Sequence, residues 1–186
     1  MSSYTDEQIV AQLRGIMTSH ESKLEPKIVV FSCDEQGYLA ADGVGPKGLS
    51  YSPNVLIVRV PCIALISEVH ILKAFEFGAG GVLLSGCSPA GCPHVNGNEV
   101  AEKTCGFIRR LFSAFGLPEN IDVIKSNGEP KAFVNSVEAF VKLISTNSLL
   151  VHKIKEDTPL GPTRRDTQIN LIRSLSEKLE FTPSLR

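Results

Sequence analysis

Four short runs of β-branched and other apolar residues recur along the chain, at 27–32, 55–60, 81–85 and, more weakly, 121–124. Each is bounded by turn residues and shows no strict polar alternation, which is the pattern of strands buried on both faces. Between them the apolar period changes to that of a helix. One helix is predicted over 67–77, stopping at Gly78, and another over 98–115, stopping at Gly116 and Pro118. A third spans 130–145 and places Phe133, Val137, Phe140, Val141 and Ile144 on one side. The crossover at 33–54 is irregular, with Gly37, Gly43, Gly45, Pro46, Gly48 and Pro53, and has room for a short helix at 36–41.

Strands alternating with helices imply a parallel sheet covered on both faces. Residues 27–146 therefore read as one α/β domain, a three-layer flavodoxin-like parallel sheet. The ends follow other patterns and form helical arms. In the N-terminal arm, 1–26, Thr5 and Gln8 make a capping box, and Ile9, Val10, Leu13, Ile16 and Met17 share one face of a helix over 5–20. That face fits its own domain or another protein equally well. The C-terminal arm, 147–186, begins as a linker at 147–165 containing Pro159, Gly161 and Pro162. It continues as an amphipathic helix over 166–179, with Ile169, Ile172, Leu175 and Leu179, and an extended tail at 181–186.

Composition narrows the function. With 186 residues, 42% of them hydrophobic and 21% charged, the chain can build one real core. Its 19 basic and 20 acidic residues leave a formal charge of −1, so the whole has no attraction for nucleic acid or an anionic membrane. Zero tryptophans and 6% aromatics argue against a base-stacking surface. No run approaches the ~18 apolar residues that insertion in a membrane requires. The first residues show no secretory signal, and with five cysteines, an odd number, a reducing cytoplasmic location is expected.

The placement of those cysteines is the informative feature. Cys33, Cys62 and Cys87 each follow a predicted strand, and in a parallel sheet the C-terminal strand ends share one edge. Cys92 follows in a loop, Gly86-Cys87-Ser88-Pro89-Ala90-Gly91-Cys92, that can fold back on the other three. Gly86 and Gly91 allow backbone N–H groups to approach sulfur. Four converging thiols suit an iron–sulfur cluster or tetrahedral zinc, or they are small buried apolar residues. Cys105 lies mid-helix and reads as core.

Other motifs lack their context. Gly43-Val44-Gly45-Pro46-Lys47-Gly48 satisfies the dinucleotide-binding pattern, but it neither directly follows a strand nor opens a helix. No Cys-x-x-Cys and no Walker A sequence occurs. His94 reads as a solvated or capping residue more than a ligand. His70 reads as a surface or hydrogen-bonded histidine, and Arg109-Arg110 and Arg164-Arg165 as solvated faces or partner contacts.

Taken in order, several segments resemble the delta-subunit family of methyl-viologen-reducing hydrogenases. They are Lys27-Ile28-Val29-Val30-Phe31-Ser32-Cys33, Pro53-Asn54-Val55, Arg59-Val60-Pro61-Cys62 and Ile71-Leu72-Lys73-Ala74-Phe75. Gly78 through Cys87, Cys92 and Asn96-Gly97-Asn98 complete the set. The resemblance covers about residues 26–145. It implies an electron-transfer subunit that performs no bond chemistry and carries one [2Fe–2S] cluster, its ligands drawn from Cys33, Cys62, Cys87 and Cys92. It also implies partners: a flavin-containing heterodisulfide-reductase A-like subunit on one side, and a hydrogenase, formate dehydrogenase or other reductase on the other. Such complexes are cytoplasmic and often bifurcate electrons in anaerobes, and relatives stand beside tungsten-dependent benzoyl-CoA reductases.

The chain departs from that family in three places. Gln36 stands where many members have a second cysteine. Ile63-Ala64-Leu65 replaces a Ser-Gly-Arg, and Ser88-Pro89-Ala90-Gly91 replaces a His-Pro-Gly-Asp. The alternative functions are a cofactor-free structural or assembly protein of such a complex, a structural zinc protein with four cysteine ligands, and a nucleotide-binding flavodoxin-like protein, the last lacking a phosphate loop.

Overall fold

A computed structural model describes residues 4–19, 26–94, 96–114, 120–156 and 164–180. The four apolar runs become β1 (Ile28–Cys33), β2 (Val55–Val60), β3 (Gly81–Cys87) and β4 (Ile121–Ser126). All pairings are parallel, in the order β2-β1-β3-β4. The central strands β1 and β3 are buried along their whole length, whereas the edge strands expose part of theirs. β1 and β3 run slightly further than the apolar pattern foretells, so Cys33 and Cys87 are the last residues of their strands. The chain leaves β1 toward β2 on one side and returns to β3 on the other. The gap between these two strand ends is thus the topological switch point, where open α/β sheets bind ligands.

The helices are α1 (Asp6–Ser19), α2 (Gly37–Asp42), α3 (Glu68–Glu76), α4 (Gly97–Ala114), α5 (Pro130–Glu156) and α6 (Arg164–Glu180). α2 and α5 cover one face of the sheet, packing Phe133, Val137 and Ile144 on Ile28, Val30 and Leu83. α1, α3 and α4 cover the other, over Val29, Phe31, Val82 and Leu84. The apolar face of α1 closes on its own chain: Ile9, Leu13 and Met17 lie in this core. α6 lies against α3 and buries Ile172 in the same layer.

Several local expectations change. α5 does not end near Ser145 but continues to Glu156. The polar run Ser145-Thr146-Asn147-Ser148 looks like a stop because such side chains compete for backbone groups. It holds no glycine or proline, and Thr146 Oγ1 donates instead to Lys142 O at 2.9 Å within the helix. Arg109 is only partly a solvated charge, its side chain 39% exposed. Its Nε and Nη2 donate to Ile121 O at 3.0 and 2.9 Å and tie α4 to β4. Of the two readings for His70, the hydrogen-bonded one holds and the surface one does not: it is 1% exposed and is the N3 residue of a capping box with Ser67, whose N donates to its Nδ1 at 3.1 Å. Gly78 closes α3 as expected, with φ of 99°. The stop at Gly116 and Pro118, the linker residues Pro159, Gly161 and Pro162, and the tail 181–186 lie outside the described residues.

Candidate metal centre at the strand ends

The C-terminal edge of the sheet brings Cys33, Cys62, Cys87 and Cys92 together. Cys33 and Cys87 end the two central strands, and their sulfurs stand 3.4 Å apart. Cys62 follows β2 and opens a single helical turn, Ile63–Leu65. Cys92 follows a second such turn, Pro89–Gly91. These two thiols meet across the first residue of α4: a Cβ on Gly97 would lie 2.9 Å from Cys62 Sγ and 3.3 Å from Cys92 Sγ. The pairs also sense one another, Cys62 through Cys33 and Cys87 through Cys92. Three of the thiols are buried and Cys92 is half-buried. Among the described residues, no three His, Cys, Asp or Glu side chains are drawn together as tightly as one metal ion would require. The sulfurs form two neighbouring pairs.

Burial sets their electrostatics. It pushes the Cys87 thiol up to about 12, helped by the neighbouring Cys33 and opposed by the Gln36 N–H. Burial likewise raises Cys62, and the Ala64 N–H opposes it. The Gly37 N–H donates to Cys33 Sγ at 3.3 Å. Dipoles of Gln36, Gly37 and Ala64 therefore favour negative charge on sulfur, and so does the N-terminus of the 18-residue α4 beside Cys62 and Cys92. A cation replacing the thiol protons would supply what burial withholds.

The two glycines singled out from the sequence serve close packing. A Cβ on Gly86 would run into Ile63 and Asn98, and one on Gly91 would strike the Gln36 side-chain amide. The Gly91 N–H donates to Ser88 O at 3.0 Å. Asn98 Nδ2 donates to Cys87 O at 2.7 Å, which fixes the strand end that presents the thiol. Cys105, 1% exposed in α4, is raised to about 12 by burial, and its charged neighbours are Arg109, Asp122 and Glu102. His94 is exposed.

Gly97 and the three sulfur-facing amides are not foreseen from the sequence. Asn96-Gly97-Asn98, with a small residue at a helix start beside the cysteine loop, is the signal that could have pointed to Gly97.

The profile of the methyl-viologen-reducing hydrogenase delta-subunit family matches residues 28–146. The chain is 34% identical over 116 residues to the vhu iron–sulfur protein of Methanocaldococcus jannaschii, the D-type component of its F420-non-reducing hydrogenase. That match covers 61% of this chain and 87% of the relative. The chain is also 30% identical over 170 residues to the A-type component of the ferredoxin/F420H2-dependent CoB-CoM heterodisulfide reductase of Methanosarcina acetivorans, covering 90% of this chain. The corresponding component of the ferredoxin:CoB-CoM heterodisulfide reductase of Methanosarcina mazei is 33% identical over 144 residues, 76% of this chain. The chain spans only 21% and 18% of those two reductase proteins. With the match covering all four strands and the thiol edge, the chain belongs to the methyl-viologen-reducing hydrogenase delta-subunit family.

Proposed function

We propose that the chain is an electron-transfer subunit holding one [2Fe–2S] cluster on Cys33, Cys62, Cys87 and Cys92. The observation that carries this reading is the arrangement of four thiols as two adjacent pairs at the switch point. A [2Fe–2S] cluster takes four thiolates, shared between its two irons. A relative named as an iron–sulfur protein supports the same chemistry. When bound, such a cluster accepts and releases one electron.

The rest is done by the chain. The four thiolates grip the metal. The N–H groups of Gln36, Gly37 and Ala64 stabilise charge on sulfur, and such contacts tune a cluster's potential. Gly86 and Gly91 let the loop close, while buried Ile63 limits water. The half-exposed Cys92 and the exposed Pro89, Ala90 and Gly91 leave one side near the surface, where a partner's cofactor can approach. In this reading one partner is a heterodisulfide-reductase A-like flavin protein and the other a hydrogenase or reductase, in a cytoplasmic and electron-bifurcating assembly. In this reading the unit that carries the cluster is 27–146, with α1 and α6 packed into its core. Among the described residues no helix is long and apolar enough to cross a membrane.

Metal and sulfide analysis of the anaerobically purified full chain tests the reading. About two irons and two sulfides per chain are expected, with a visible spectrum that bleaches on reduction. Single Cys→Ser changes at 33, 62, 87 or 92 should each lower the iron, while Cys105→Ser should keep it. A chain co-expressed with its partners and cluster-assembly machinery that still holds no iron overturns the proposal. Zinc in its place would indicate a structural site of four cysteines, and no metal would indicate an assembly protein.

A further inference from the structure

Gln36 touches three separate parts of the strand-end edge. Its side-chain Oε1 accepts from Ser88 N at 2.7 Å, at the start of the loop between Cys87 and Cys92. Its amide fills the space left by the missing Cβ of Gly91, at the end of the same turn. Its backbone N–H is oriented toward Cys87 sulfur, and its carbonyl accepts from Ser126 Oγ at 3.1 Å, at the end of β4. One residue in the turn after β1 thus joins the ends of β3 and β4 and the loop carrying Cys92. That loop is otherwise exposed from Pro89 to Gly91, and Gly91 N to Ser88 O is the tie within it.

We infer that Gln36 is a positioning residue: its side-chain amide clamps the Cys87–Cys92 loop from both ends of its turn and holds Cys92 sulfur beside Cys62. The inference rests on the proposed metal centre for its purpose, but the clamp itself is a property of the polypeptide. A carbonyl oxygen at the end of a long side chain is needed to reach Ser88 N–H. Glutamate retains that acceptor and alanine does not. Gly91 is the complementary half, since any side chain there evicts the amide while leaving Gln36 in the sequence.

The test uses the full chain in its metal-free and iron-loaded forms. In the metal-free form, the alkylation rate of Cys92 by iodoacetamide is followed by peptide mass spectrometry. Gln36→Ala should raise that rate about tenfold, the effect of a clamp worth about 1.4 kcal/mol. Gly91→Ala should raise it similarly, the double variant should add little to either, and Gln36→Glu should stay near the parent. The urea midpoint, measured alongside, should fall by no more than that lost clamp accounts for and stay near the parent in Gln36→Glu, while Cys105, 1% exposed, should remain far slower to react than Cys92, which separates loop release from general unfolding. In the loaded form, Gln36→Ala should shed iron faster and shift the reduction midpoint, with Gln36→Glu restoring retention. A Cys92 rate in Gln36→Ala equal to the parent overturns the clamp whether or not the chain binds iron. So does a Gly91→Ala variant that keeps parental protection. Absence of iron from every variant, with the alkylation pattern intact, would overturn the metal centre and leave the clamp standing.

Discussion

Where α1, α3 and α4 cover the sheet, side chains are large and interlock. Phe75 meets Phe112 edge to face at 5.1 Å, and Leu13, Ile71, Leu72 and Ile108 are fully enclosed. At the C-terminal edge of the same strands, side chains are small and backbone comes close. Gly86 lies against Ile63, Gly97 against two sulfurs and Gly91 against Gln36. The first region is stabilised by area removed from water, which tolerates any arrangement that fills the volume. The second, although Cys33, Ile63 and Cys87 are buried in the same layer, depends in addition on particular atoms being held in particular places. Stability and site geometry should therefore respond to different substitutions.

The strongest attempt to break that separation is Phe112→Ala. The ring is 1% exposed, and its loss should cost about 3–5 kcal/mol in urea unfolding. Iron per folded chain should be unchanged, because Phe112 lies roughly 22 Å along α4 from Gly97 at the helical rise per residue. Metal loss in step with the destabilisation, in conditions where the variant is still folded, would show that the two regions are one cooperative structure.

Gly97→Ala applies the opposite pressure. Gly97 is the first residue of α4, and alanine suits helices better by up to about 1 kcal/mol, so stability should stay level or rise slightly. The new methyl would sit 2.9 Å from Cys62 Sγ, closer than van der Waals contact allows, and must displace one thiol. Iron retention should fall about tenfold or more, the size seen when groups that orient metal ligands are altered. Equal retention in the two proteins would mean that the Cys62–Cys92 pair is not held by this contact.

The same contrast explains what could be read from sequence. Strands and helices follow from local periodicity, so all four strands, the α3 stop at Gly78 and the apolar face of α1 were legible. Convergence of the cysteines was legible too, because a parallel sheet puts its strand ends together whatever the loops do. The contacts inside the edge were not. Gln36 and Ser88 are 52 positions apart, and nothing in the spacing of either announces the bond. Burial of the α1 stripe under its own chain was equally invisible, since an amphipathic helix does not specify which surface it covers. The length of α5 misled for a simpler reason: a polar tetrad weakens a helix but does not end it, and the next proline is Pro159.

His70 offers the finest probe, because it places a titratable group inside the apolar layer. Burial holds its pKa below the ordinary histidine value, and the nearby Asp6 carboxylate, 3.7 Å from Nε2, only partly opposes this. The folded chain thus resists a proton that the unfolded chain accepts at about pH 6.5. Where the unfolded state binds more protons, stability rises with pH, so this residue destabilises the fold as pH drops below about 6.5 and contributes nothing above it. His70→Gln removes the titration and keeps a capping-box acceptor for Ser67 N–H. Between pH 7.5 and 5.5 the urea midpoint of the parent should fall further than that of the variant, by much less than the Phe112 effect. Carboxylates common to both proteins cancel in the difference. Parallel pH profiles would show that the layer beneath α1 admits water to His70, and would weaken the contrast between an apolar layer that excludes water and an edge that arranges polar atoms.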